Sequence, residues 1–204
     1  GMVGVPGLFD LPSWRRGGEA TFQADQRQLQ RAVTAASGDE VAAARLALVE
    51  FYFAHGLLDD ARDALAPIST AGGKVDPREV RLLKAALQAL HDQGDEAKEL
   101  LADRDVALLP ETNLFLGLIA AEAQDWPEAG KHFNGALPSL ADYPKPVRDR
   151  LYMAGGQALA NSGNPIGAQR FADALRQDEP DAETTDRLTY LDGLIKLKMG
   201  EREE

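Results

Sequence analysis

Small residues recur at a fixed spacing in the helical part of this chain. Gly117 precedes Ala129 by twelve residues, and Gly156 precedes Ala168 by the same distance. A glycine inside an apolar helical run costs about 1 kcal/mol of helix propensity relative to alanine, so it needs a packing reason. We interpret each pair as a point where two antiparallel helices cross closely and bury a large neighbour such as Phe133. The spacing therefore predicts stacked helix pairs.

The helical pattern covers nearly the whole chain after residue 19. Apolar residues recur at i, i+3 and i+4, and strand-like alternation of β-branched residues is absent. Proline in a first helical turn follows a short polar residue at Asp76-Pro77 and Asn164-Pro165, as is typical of capped helix starts. Glycines 56, 94, 163 and 200 are expected at helix ends. An all-α fold follows, with helices predicted near 21–36, 39–55, 58–68, 77–91, 95–102, 110–123, 126–139, 146–161, 165–177 and 182–199.

The helix pairs repeat along the chain. Val49 and Ala61 are also twelve residues apart, and the 68 residues from Ala61 to Ala129 (129 minus 61) equal two periods of 34. The unit between them has a shortened turn, because Ala97 follows Gly94 by only three residues, and it lacks the alanine at the expected distance. Later copies drift through longer loops, where insertions cost little stability.

The chain resembles the tetratricopeptide repeat (TPR) family, whose unit is an antiparallel helix pair with small residues at the close crossing. The match runs over residues 39–204, and its best copy contains Gly156, Leu159, Gly163, Ala168 and Pro180. The resemblance implies a right-handed superhelical solenoid of antiparallel helix pairs. We expect this repeat domain to occupy residues 20–204 and to be truncated at its C-terminal end.

The two ends of the chain differ from the repeats. Residues 1–19 are rich in glycine and proline, so we expect an irregular arm that docks through Leu8, Phe9, Leu11 and Trp14, or a linker. The last helix, 182–199, carries two apolar rows, one with Leu188 and Leu191 and another with Tyr190, Leu194 and Leu197. Because a terminal capping helix needs a polar outer face, this helix is a candidate for self-association or for an exposed apolar strip.

The resemblance also implies where a partner binds. In this family the first helix of each unit lines a concave wall that typically holds an extended peptide or a partner helix. The alternative for each wall residue is a place in the core between helices. Matched to the family unit, the predicted partner-binding residues are Glu50, Phe53, Lys84, Gln88, Leu118, Glu122, Gln157, Asn161, Tyr190 and Leu194.

Composition narrows the classes of ligand. The 204 residues carry a net charge of −11 and no basic stripe, so neither nucleic acid nor an anionic membrane surface is an expected partner. No apolar run reaches about 18 residues, so no membrane insertion is expected, and the chain is predicted to be soluble, in the cytoplasm or the periplasm. Cysteine is absent, which removes disulfides and thiolate chemistry without identifying the compartment.

Catalytic motifs are missing from the sequence. His55, His91 and His132 lie in different units without metal-ligand spacing, and no serine stands in a G-x-S-x-G setting. We therefore predict no catalytic residues, no metal and no cofactor, and interpret the chain as a non-catalytic protein-interaction module that binds a protein or a peptide. The alternatives are a structural spacer and a regulatory or scaffolding segment of a larger enzyme or envelope-assembly protein whose active part lies outside this chain.

Overall fold

The computed structural model describes residues 5–71 and 73–203, and within these ranges it contains helices and no strand. The all-α prediction is confirmed. Short 3-10 turns occur at Gly18–Thr21 and Leu137–Leu140. The α-helices are α1 (Leu11–Trp14), α2 (Phe22–Ala35), α3 (Glu40–Ala54), α4 (Leu58–Leu65), α5 (Pro77–Leu90), α6 (Gly94–Leu101), α7 (Pro110–Glu122), α8 (Trp126–Phe133), α9 (Lys145–Asn161), α10 (Pro165–Gln177) and α11 (Ala182–Glu203).

Most helices begin and end close to the predicted positions, and the exceptions have local causes. The predicted helix 126–139 ends at Phe133, because Asn134 is extended and Gly135 has a φ of 76°. Helix α1 lies inside the arm that we expected to be irregular, so that part of the prediction was wrong.

The caps follow the predicted chemistry in part. The side chains of Asp76 and Asn164 accept hydrogen bonds from the amides of Arg78 and Gly167 at the starts of α5 and α10. Gly56 and Gly163 are left-handed, with φ of 76° and 90°, as expected at helix ends. Of the other two expected glycine ends, Gly94 instead begins α6 and Gly200 lies inside α11, and Asp92, with φ 59°, is left-handed after α5.

The chain divides into two compact units, Gly1–Thr112 and Asn113–Glu204. In the first unit, α2, α3, α4 and α5 each pack against the next helix along the chain, which ends the series at α6. Ala85 and Ala97 are both fully buried and, like the other crossing pairs, lie twelve residues apart. The copy formed by α5 and α6 therefore keeps the twelve-residue spacing, which we did not expect from the sequence.

The N-terminal arm docks on the first unit as expected. Leu11 is buried, and the Phe9 ring lies 5.2 Å from Trp14 and 5.4 Å from Phe53 of α3, measured between centroids. The Phe9 amide donates a 2.8 Å hydrogen bond to Glu111 Oε1. These contacts cover the surface of α3 around Phe53.

The second unit is built around α9, which packs against α8, α10 and α11. A Cβ atom at Gly117 would lie 2.9 Å from Phe133 Cε2, and one at Gly156 would lie 2.7 Å from Leu191 Cδ2. Both glycines therefore permit close helix approach, which confirms the packing role read from the sequence. Gly156 meets both α10, through the Ala168 carbonyl, and α11.

Candidate functional site

Three of the predicted wall residues line one cavity in the second unit. Leu118 and Glu122 of α7 and Gln157 of α9 share an opening of about 390 Å³. Trp126, at the start of α8, contributes an indole ring to the same cavity, and Arg187 of α11 stands at its edge. We call this opening the unit 2 cavity; its full lining is Leu118, Ala121, Glu122, Gln124, Trp126, Arg150, Ala154, Gln157 and Arg187.

Helical spacing explains why these side chains meet. Leu118 and Glu122 are four residues apart on α7, so they project from the same face. On α9, the residues Arg150, Ala154 and Gln157 follow the i, i+4, i+7 pattern, which also lies along one face. The apolar residues of this set, Leu118 and Ala154, are buried and form the floor, whereas the polar side chains of Glu122, Arg150 and Gln157 are more exposed and form the rim.

The rim of the unit 2 cavity carries charges of both signs. Arg150 Nε donates to Glu122 Oε1 at 3.0 Å, which ties α9 to α7 across the opening. Asn161, one turn beyond Gln157, donates to the Gln157 carbonyl at 2.9 Å and does not line the cavity. Among the described residues, no carboxylate is paired with the Arg187 guanidinium. The cavity therefore offers an apolar floor and one cation that a ligand carboxylate can neutralise.

The wall residues predicted in the first unit do not form one surface. Phe53 is fully buried beneath Phe9 of the arm, so it belongs to the core rather than to a partner-binding face. Glu50 is partly buried and lines a separate pocket of about 440 Å³ with Trp14 and Arg16. The arm, which the sequence pattern did not place on this face, accounts for both differences.

Lys84 and Gln88 lie on a different side of α5 from the one expected. They line a groove of about 560 Å³ bordered by α4 and α6, the second helices of their pairs. Glu79, Leu82 and Ala86 follow the i, i+3, i+7 pattern and lie on one side of α5. Leu82 and Ala86 are fully buried, so this side of the helix faces the core. These two residues were matched to the family unit as parts of a concave wall, whereas the structure places Lys84 and Gln88 in a groove between α5 and its neighbours α4 and α6.

The groove in the first unit was missed by sequence reasoning. It exists because α4 and α6 are each only 8 residues long and pack against the 14-residue α5. Arg62, Arg81 and Lys84 all border it, although the whole chain is acidic. Arg62 donates to Gln93 Oε1 at 2.9 Å, and Arg81 is paired with Asp103 at 3.2 Å. In the sequence, the only indication of this groove is the three-residue spacing of Arg81 and Lys84, which puts both cations on one side of α5.

Two neighbouring carboxyl groups of the first unit have strongly perturbed pKa values. Burial, assisted by the charges of Glu79 and Asp10 and opposed by that of Arg16, raises the pKa of Glu50 to about 8. Burial also raises the pKa of Glu79 to about 7, with Asp76 contributing. Burial and repulsion by neighbouring carboxylates therefore disfavour the charged form of both groups.

The histidines make structural contacts. His55 Nε2 lies 3.1 Å from the Arg15 carbonyl, and His91 Nε2 lies 2.8 Å from Asp59 Oδ1. His132 Nδ1 lies 2.6 Å from Asn113 Oδ1. Within residues 5–71 and 73–203, no group of three His, Cys, Asp or Glu side chains is placed to hold a metal ion.

The last two predicted wall residues lie on α11. Tyr190 is 73% exposed, and Leu194 is partly exposed on the same side of the helix.

None of the described helices is both long and apolar enough to cross a membrane. Neither protein-family models nor curated proteins nor solved structures match the chain.

Proposed function

We propose that the chain is a non-catalytic protein-interaction module that binds a peptide in the unit 2 cavity. The observation that supports this proposal is the convergence of Leu118, Glu122 and Gln157 on one cavity. These three residues were singled out because the first helices of the TPR family carry its peptide-binding wall. The three residues were chosen only by their position in the repeat. That they line the same cavity supports the repeat alignment of α7 and α9.

The chemistry of the cavity suggests which peptide it would hold. Its floor, formed by Leu118, Ala154 and Trp126, suits one apolar side chain, and Arg187 suits a carboxylate next to it. We therefore propose a short segment with an apolar anchor and an adjacent acidic residue as the ligand.

The architecture that we propose is a TPR-like right-handed solenoid. It is supported by the buried small residues at twelve-residue spacing in successive helix pairs and by the close approach at Gly117 and Gly156. A non-catalytic role is supported by the histidine contacts, which hold helices and the arm in place.

A peptide display experiment tests this function. A library of random 12-residue peptides is selected against the chain, and the affinities of the enriched peptides are measured by fluorescence anisotropy. We expect Gln157→Glu to weaken binding about tenfold, because the new carboxylate repels the acidic ligand and competes for Arg187. Gln177→Glu, at an exposed position of α10 outside the cavity, is the matched control.

Two results would contradict the proposal. The first is a selection that enriches no peptide with an apolar residue beside Asp or Glu. The second is a set of enriched peptides that bind the Gln157→Glu and Gln177→Glu chains with equal affinity.

A further inference from the structure

Helix α11 presents an apolar strip on the side that faces away from its own unit. Leu188, Leu191 and Ile195 are nearly fully buried on the inner side. On the outer side, Tyr190 is 73% exposed and Leu197 is 60% exposed, with Leu194 partly exposed between them. We call Tyr190, Leu194 and Leu197 the outer strip. Its i, i+4, i+7 spacing gives a straight apolar ridge about 10 Å long at a rise of about 1.5 Å per residue.

A glycine beside the outer strip borders open space. Gly193 is exposed inside α11, and a Cβ atom added there would meet nothing within 4 Å. Glycine lowers helix propensity relative to alanine, so an exposed helical glycine is unfavourable unless something approaches it closely. At this position it leaves a shallow notch next to Leu194, into which a side chain of another helix can fit.

The charges at the two ends of the outer strip are opposite and symmetrically placed. Arg187 lies seven residues before Leu194, and Glu201 lies seven residues after it. Seven residues are close to two helical turns, so both charges stand on the Leu194 side of the helix. A second α11 running antiparallel would place its Glu201 opposite Arg187 and its Arg187 opposite Glu201. A parallel copy would instead bring like charges together.

We propose that a second copy of the chain packs on the outer strip, with the two α11 helices antiparallel and a two-fold axis at Leu194. An isologous contact of this kind repeats every favourable interaction twice. It buries both copies of Tyr190, Leu194 and Leu197 and forms two Arg187–Glu201 ion pairs. Because Arg187 also lines the unit 2 cavity, Glu201 of the second copy and a peptide carboxylate in that cavity compete for the same guanidinium. Within its own helix, Glu201 forms an ion pair with Lys198 at 3.1 Å. In the dimer, Glu201 either leaves Lys198 for Arg187 of the second copy or binds both cations.

Cross-linking tests the geometry directly, because the chain contains no cysteine. Leu194→Cys introduces a single thiol at the proposed axis, and mild oxidation is expected to convert most of it to a disulfide-linked dimer. Ala182→Cys, at the start of the same helix, lies far from its own copy in the antiparallel arrangement and is expected to stay monomeric. Cross-linking at both positions would indicate a parallel pair and would overturn the proposed orientation.

Sedimentation equilibrium from about 5 to 500 μM tests the association itself. We expect Leu197→Lys to weaken dimerisation at least about tenfold, and Arg187→Glu or Glu201→Arg alone to weaken it about threefold to tenfold. The double variant Arg187→Glu/Glu201→Arg is expected to recover the unmodified affinity, which a loss of folding could not produce. Circular dichroism checks the helix content of each variant.

The unmodified chain remaining monomeric over this range would overturn the proposal. So would a dimer that is unaffected by Leu197→Lys, since its interface would then lie elsewhere. Loss of affinity for the selected peptides in Leu197→Lys is a third contradicting result. It would show that the outer strip binds these peptides rather than a second copy of the chain.

Discussion

Gly117 and Gly193 are both helical glycines, but their surroundings differ. At Gly117 an added Cβ atom would meet the buried Phe133 ring at 2.9 Å and His132 Cβ at 3.0 Å, whereas at Gly193 it would meet nothing within 4 Å. We expect Gly117→Ala to lower the free energy of unfolding by about 1–3 kcal/mol, because the overpacking exceeds the gain in helix propensity. Gly193→Ala is expected to raise it by about 0.5–1 kcal/mol.

Urea unfolding of the two variants in dilute protein measures both effects. The pair forms a matched control, since the chemical change is identical and only the environment differs. A stabilising Gly117→Ala change would show that α7 does not approach α8 as closely as the structure has it.

Glu50 makes the stability of the chain depend on pH. Its pKa is about 8 in the folded chain against an ordinary value of 4.5, so the folded state disfavours the ionised form. The free energy of unfolding therefore decreases as the pH rises from about 4.5 toward 8, and Glu79, with a pKa of about 7, acts in the same direction. The side chain introduced by Glu50→Gln cannot ionise. This variant should therefore lack the part of the pH-dependent decrease in the free energy of unfolding that Glu50 causes.

We expect the stability advantage of Glu50→Gln over the unmodified chain to grow by roughly 1–3 kcal/mol between pH 5 and pH 8.5, after allowance for the part of the side chain that water still screens. Urea unfolding at the two pH values measures it. Glu99→Gln, at an exposed position on α6, is the control. An advantage that is equal at both pH values would mean that Glu50 is ionised normally in the folded chain.

At the scale of elements, the N-terminal arm acts as part of the first unit. Leu11, in the four-residue α1, is only 3% exposed, and no helix this short is stable without tertiary contacts. We expect Leu11→Ala to lower the free energy of unfolding by about 2–4 kcal/mol through the cavity it leaves. Ser13→Ala, at an exposed position of the same helix, should have little effect, and equal effects of the two changes in urea unfolding would show that the arm is not docked in solution.

At the scale of the whole molecule, the net charge of −11 sets the long-range interactions. The three cations of the first-unit groove are a local exception, and two of them are bonded to neighbouring side chains. We expect no micromolar affinity for single-stranded or duplex DNA at about 150 mM salt, because few phosphates could be neutralised. A salt-sensitive gel shift in the micromolar range would contradict this expectation.

Apolar periodicity, proline positions and the twelve-residue spacing determined the helices and the close crossings. These are local properties, since a helix and its caps depend on residues within a few positions of each other. The same reasoning placed Leu118, Glu122 and Gln157 on one predicted wall, and all three line one cavity. It also predicted the two apolar rows of α11.

Only the tertiary structure decided which faces are covered. The arm buries Phe53 through contacts with residues more than 40 positions away along the chain, and no periodicity within α3 reveals that contact. The raised pKa values of Glu50 and Glu79 likewise depend on the packing of α3, α5 and the arm. On α5, Lys84 and Gln88 line a groove with α4 and α6, a placement that depends on how three helices pack together. A sequence read one segment at a time determines the helices, but which of their surfaces meet depends on contacts between segments that are distant along the chain.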